Sequence, residues 1–171
     1  PITLARKWVK PGTKGMEHRI GGLEKDSISG NISYDPENHQ KMTNLRSQKI
    51  KNIQNELDDI NINGPEKGDL LVIGWGSTNG PISEAQDELS KKGFKISHIQ
   101  VSCLWPISDN LKEIASKFES VIVVEMNEGQ LYSILKTEGI TKAQSLTQVS
   151  GKPIRVSYLL EKFKKIIKSE K

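Results

Sequence analysis

The chain has 171 residues, a formal net charge of +4 and one cysteine, which predicts one domain, or one domain with a long arm, and excludes an internal disulfide. No apolar run approaches the roughly 20 residues of a membrane span, no signal-peptide pattern stands out, and the cysteine usage fits a reducing compartment, so a cytoplasmic location is expected. The basic excess collects in residues 41–51 and 162–168, where charges alternate with apolar residues at helical spacing. That is the wet face of amphipathic helices, and no aromatic–basic interleaving suggests a stacking platform, so no nucleic-acid partner is expected.

Residues 1–36 are broken by Pro11-Gly12, Gly15, Gly21-Gly22, Gly30 and Asp35-Pro36, so no long element fits. Yet Trp8, Met16, Ile20, Leu23, Ile28, Ile32 and Tyr34 are too many apolar residues for a disordered tail. The reading is an irregular inter-domain arm laid on another surface, with a small hairpin around Asp26–Gly30. The first residue is Pro1 rather than Met, which predicts a piece of a longer protein. Residues 37–67 read as a long helix and a linker. Met42, Leu45, Lys49, Ile50, Ile53, Leu57 and Ile60 recur at three and four, and Asp35-Pro36 is a start signal. A helix packed on the core is expected, the alternative being one that packs between domains or subunits.

From residue 68 to 171 the pattern becomes β-α-β-α. Strands are predicted at Leu70–Gly74, Lys95–Val101, Val121–Glu125 and Ala143–Val149, with helices at 82–92, from 108 or 109 to 118, at 129–137 and at 156–167. Strands that are apolar on both faces require helices on both sides, so the fold class is α/β with a mainly parallel sheet.

Two segments follow strands and open helices. Gly74-Trp-Gly-Ser-Thr-Asn-Gly80 could present backbone amides to an anion or to a partner subunit, with Gly74, Gly76, Ser77, Thr78 and Gly80 as candidates. Its G-x-G-x-x-x-G spacing is not the dinucleotide fingerprint and it has no P-loop lysine, so a tight turn that needs glycine is the competing reading. Glu125-Met-Asn-Glu-Gly-Gln130 places carboxylates and amides at a strand end. Paired carboxylates can do acid–base work, but Glu125, Asn127 and Gln130 also suit interface hydrogen bonds or helix capping, Asn127 with Gln130 approaching a capping box. His18, His39 and His98 share no ligand spacing, so no metal site is expected; His98 reads as half-buried in a strand. Cys103 reads as a small buried or half-buried thiol. No catalytic residue is assigned.

The order of motifs is more specific than any one of them. Gly22-Leu-Glu-Lys-Asp-Ser-Ile-Ser-Gly30, Tyr34-Asp-Pro-Glu-Asn-His39 ahead of a long helix, the Gly74–Pro81 turn, Glu125–Leu131 and Gly151-Lys-Pro153 before a last helix occur in that order. Over essentially the whole chain this resembles the C-terminal part of the alpha subunit of 2-oxoacid:ferredoxin oxidoreductases, most like the 2-oxoglutarate type. Lys25 departs from the pattern, where many members carry His. The resemblance implies a transketolase C-terminal-like module that supports assembly and binds no cofactor itself. It implies thiamine diphosphate, magnesium and iron–sulfur clusters in the intact complex, which oxidatively decarboxylates a 2-oxoacid to an acyl-CoA and reduces ferredoxin. The implied partners are an N-terminal pyrimidine-binding domain of the same chain, a beta subunit with the diphosphate-binding domain, and ferredoxin through the complex. Two other readings compete: the matching domain of a transketolase or dehydrogenase E1 beta subunit, and a stand-alone anion- or nucleotide-binding module at Gly74–Gly80.

Overall fold

The computed structural model describes residues 3–169, which fall into two compact units divided between Glu56 and Leu57. In the first, the expected hairpin forms. Lys25 and Ile32 make an antiparallel bridge, and the Asp26 N–H donates to Asn31 O at 2.8 Å. Asp26 also accepts from the amides of Ile28 and Ser29 and from the Ser29 hydroxyl. The Ser29 bonds lead in holding its carboxyl down at about 2. Beside it, Glu24 receives both guanidinium nitrogens of Arg46 at 3.1 and 3.0 Å and contacts His39 Nδ1 at 2.9 Å. The Arg46 bond is the main reason its carboxyl lies at about 2.

Helix α1 spans Pro36–Asn52. Asp35 caps it by accepting from the amides of Glu37 and Asn38, and Pro36 supplies a first residue that lacks the unneeded N–H. The helix stops at Asn52 and a short 3-10 turn, Ile53–Glu56, follows, so it is shorter than its periodicity suggested. Nor is it a core helix. Its single buried residue is Asn38, whose side-chain amide donates to Lys25 O. Only Met42, Leu45 and Ile50 are large and apolar among its 17 residues. The first two are half-buried, while Ile50 and the following Ile53 are exposed. Three such residues make a stripe too narrow to require a core.

The second unit alternates strands and helices: β1 (Gly68–Trp75), α2 (Asn79–Ser90), β2 (Ile96–Val101), α3 (Asn110–Ser116), β3 (Phe118–Glu125), α4 (Gln130–Thr137), β4 (Ala143–Thr147) and α5 (Val156–Ser169). The strands lie in the order β2-β1-β3-β4. Every neighbouring pair is parallel, Leu70 standing between Ile96 and Ser120. Residues 70–73 of β1 and 121–124 of β3 are almost wholly buried, as central strands covered on both faces must be.

Leu70, Val72, Ile122 and Val124 pack under α2 and α5, through Ile82, Leu89, Leu159 and Phe163. Leu71, Ile73, Val121 and Val123 face α3 and α4, through Leu111, Ile114, Leu131 and Leu135. The chain steps from β1 outward to β2, then reverses past β1 to β3 and β4. Crossovers of one hand demand that α2 lie on one face and α3 and α4 on the other.

Most boundaries of this unit moved by one to three residues, β1 for example running from Gly68 to Trp75 and α2 from Asn79 to Ser90. Phe118 begins β3 rather than ending α3, because α3 closes at Ser116 with the Lys117 N–H on Ile114 O. Strand β4 ends at Thr147, two residues early. Asn63, in the segment before β1, exchanges backbone hydrogen bonds with His98 and so covers the free edge of β2. His98 itself is 3% exposed rather than half-buried, with Nδ1 3.3 Å from Ser83 Oγ. Burial pushes its imidazole down to about 4. Among the described residues no helix is long and apolar enough to cross a membrane.

Candidate functional site

Strand β1 has β2 on one side and β3 on the other, so the chain leaves its carboxyl end in one direction and leaves that of β3 in the opposite one. That is the topological switch point at which open α/β sheets form a crevice. The two segments singled out in the sequence, Gly74–Gly80 and Glu125–Gln130, are the loops that flank it.

The first loop is folded on itself. Thr78, 3% exposed, accepts the Trp75 N–H at 3.1 Å and donates to Trp75 O at 2.9 Å. Gly74 is needed for closeness, since a Cβ there would lie 2.4 Å from Ile82 Cδ1 and 2.7 Å from Thr78 Oγ1. Gly76 is needed for its dihedral, with φ +57° and open space around it. Its carbonyl accepts Gln100 Nε2 at 3.0 Å, which ties the turn to β2. Ser77 is exposed and its hydroxyl lies 3.6 Å from Met126 Sδ. Gly80 sits in the first turn of α2 with nothing beside it.

The second loop is organised by Glu125, which is 0% exposed. Its Oε1 accepts Trp75 Nε1 at 3.1 Å, Asn127 Nδ2 at 3.1 Å and the Leu131 N–H at 2.9 Å. Oε2 accepts the Tyr132 N–H at 3.0 Å. Asn127 Oδ1 in turn accepts the amides of Gly129 and Gln130 at 2.7 and 3.0 Å. Gln130 is exposed and contributes its backbone N–H, so half of a capping box is present. Four of the amides at the start of α4 are therefore satisfied from within the chain, by one carboxylate and one carboxamide. The positive end of the helix dipole already has its anion.

The structure thus brings together Gly74, Gly76, Ser77, Thr78, Glu125 and Asn127 around one crevice and leaves Gly80 and Gln130 at its margin. Trp75 is the residue that sequence reasoning passed over. A tryptophan at the end of a buried strand needs an acceptor for its indole N–H, and that requirement pointed to a carboxylate nearby. The arrangement suits a strut more than a reactive centre, because every partner of Glu125 is a donor of the same chain. Nor do the residues fit the cofactors implied for the complex. A typical iron–sulfur cluster takes four thiolates, and the single Cys103 is half-buried with its thiol aimed at the carbonyls of Trp105 and Pro106. A diphosphate at the start of α4 would meet the buried Glu125 carboxylate and find its amides taken. His39 is spent on Glu24 and His98 is enclosed between β2 and α2.

A family model, the pyruvate:ferredoxin oxidoreductase core domain II, matches residues 68–167. The chain belongs to that family. It is 40% identical over 168 residues, 98% of its length, to the 2-oxoglutarate oxidoreductase subunit KorA of Mycobacterium tuberculosis, of which it covers 25%. The 2-oxoglutarate:ferredoxin oxidoreductase of Magnetococcus marinus, solved with 2-oxoglutarate, coenzyme A and succinyl-CoA bound, superposes with a TM-score of 0.83. The identity is 29%, over 92% of this chain and 28% of that one. A split-gene transketolase superposes at 0.50 with 15% identity, over 65% of this chain and 42% of the transketolase chain, which shows the transketolase-like fold alone. The motif order and the α/β fold class read from the sequence are both borne out. The chain spans about a quarter of the length of that KorA subunit.

Proposed function

We propose that this chain is the C-terminal region of the alpha subunit of a 2-oxoacid:ferredoxin oxidoreductase of the 2-oxoglutarate type. The intact enzyme oxidatively decarboxylates 2-oxoglutarate on thiamine diphosphate, with magnesium and iron–sulfur clusters held elsewhere, forms the acyl-CoA and reduces ferredoxin in the cytoplasm. The chain's own share is assembly. Residues 1–36 are the inter-domain arm, 37–67 the long helix and linker, and 68–171 the transketolase C-terminal-like domain. Its partners are the N-terminal pyrimidine-binding domain of the same subunit and a beta subunit that carries the diphosphate-binding domain.

The observation that carries the non-catalytic reading is the switch-point crevice, whose polar groups are consumed by Trp75, Thr78, Asn127 and the amides of α4. The choice of the 2-oxoglutarate type over a transketolase or a dehydrogenase rests on the KorA relative, which aligns with the arm and α1 as well as with the sheet domain. Calorimetry with thiamine diphosphate and magnesium, paired with 2-oxoglutarate-dependent ferredoxin reduction, tests it. The chain alone is expected to be silent in both assays, and the complex reconstituted around it active in the second. Stoichiometric cofactor binding by the isolated chain would overturn the assembly role.

A further inference from the structure

Past the carboxyl end of β4, at the outer edge of the sheet, the chain turns into α5 and leaves a concave cavity of about 480 Å³. This is the size range of pockets for small organic ligands, roughly 300–1,000 Å³. Two cationic residues, Lys152 and Arg155, line it together with Ser150, Ser157, Tyr158 and Glu161. Neither cation takes part in any of the ion pairs found among the described residues. Ser150 is held in place by accepting Gln148 Nε2 at 3.0 Å and donating to Lys152 O at 3.4 Å.

We propose that this cavity binds a phosphate group, carried by a phosphomonoester or free in solution. A guanidinium matches two oxygens of such a group as a fork, and an ammonium supplies a second charge from another direction. A carboxylate would be satisfied by Arg155 alone and would leave Lys152 and the Ser157 hydroxyl unused. The aligned amides of α5 add a field of the same sign. Glu161 works against binding, and it leaves the walls one positive charge in excess. The site lies beyond the outer strand, where the Gln148 N–H donates to Glu125 O at 3.0 Å at the end of β3, and the assembly role does not call for it.

The test is a titration of the isotope-labelled chain with inorganic phosphate, AMP and adenosine, followed by amide shifts. Phosphate or AMP, but not adenosine, is expected to produce saturable shifts confined to residues 148–161. Arg155→Gln should weaken binding by about tenfold or more, as loss of a charge-assisted bond requires. Lys152→Gln should weaken it by less. Glu161→Gln should tighten it. AMP binding more tightly than phosphate assigns the cavity to an organic phosphomonoester, and equal affinity assigns it to free phosphate. All three side chains are on the surface, and circular dichroism of each variant verifies the fold. No saturable shift at ~10 mM of either probe, or affinities indifferent to both cation replacements, would overturn the proposal.

Discussion

Replacing Glu125 tests the account of the crevice most directly. The side chain is fully buried and receives four hydrogen bonds of 2.9–3.1 Å: from the indole of Trp75, from Asn127 and from the first amides of α4. Glu125→Ala leaves these donors facing a void. A hydrogen bond to a charged group contributes about 1.5–3 kcal/mol, and an orphaned buried polar group costs about 1–3 kcal/mol. The two helix amides can recover part of this by rehydration, so the net loss should be about 3–5 kcal/mol, the range for breaking a buried charged partnership. A domain of this size holds only about 5–15 kcal/mol in all, so the variant should be close to unfolding.

Glu125→Gln keeps the shape but turns an NH₂ toward a donor, and should lose about 1–3 kcal/mol. Trp75→Phe removes one donor and should lose less than either. The assay is urea unfolding of the 171-residue chain followed by far-ultraviolet circular dichroism. If Glu125→Gln unfolds at the same urea midpoint as the parent with an unchanged slope, the carboxylate is not the strut inferred here.

Gly74→Ala should destabilise by about 1–3 kcal/mol through overpacking against Ile82 and Thr78. Gly76→Val should lose about 1–2 kcal/mol through backbone strain alone, so a shortened residue 82 should rescue the first variant and not the second in thermal melts. His98 is held neutral down to about 4 by burial, below its usual 6.5. The unfolded chain therefore binds the extra proton first, and stability should fall by up to ~3 kcal/mol as pH drops from about 6.5 to 4. His98→Gln should flatten that window in urea titrations, and an unchanged slope would refute the assignment. Trp8, Ile20, Ile28 and Tyr34 are 81–89% exposed. Hydrogen exchange of residues 1–36 should slow when the rest of the complex is added, and strong protection in the chain alone would remove the arm's interface role.

The sheet was legible because its signal is local. Leu70–Ile73 and Val121–Val124 are apolar on both faces within the strand itself, and the turns that follow carry their own glycines. The single-strand readings erred where the next residue belonged equally to both patterns, as at Phe118, which is apolar enough for the last turn of α3 and for the first position of β3. Helix α1 shows a different limit. Periodicity reports that apolar residues share a face, and it cannot report whether anything covers that face. Met42, Leu45 and Ile50 do share one, with little over it. His98 failed for the same reason in reverse, because its cover comes from α2, where Ser83 Oγ lies 3.3 Å from its Nδ1, while the backbone of Asn63, 35 positions earlier in a stretch that reads as polar linker, closes the strand edge beside it.

The crevice was half legible, and the missing half decides what it does. Glu125 looks alike in the sequence whether it serves as an acid–base group, a cap or an interface residue. What separates these roles is the company it keeps. Its cap function depends on Leu131 and Tyr132, six and seven residues on, which local reasoning can reach. Its strut function depends on Trp75, 50 residues earlier, which becomes a neighbour only because β1 and β3 are adjacent in the sheet order. An enzyme of this fold would need the amides at the switch point open to a ligand. Here a residue at the end of β3 bends into α4 and satisfies them, and an indole from β1 locks that residue in place. Chemistry at this point would first have to displace a fully buried carboxylate from four donors. In the proposed assembly role, other molecules meet the arm of the first unit and the edge of the second unit beyond β4.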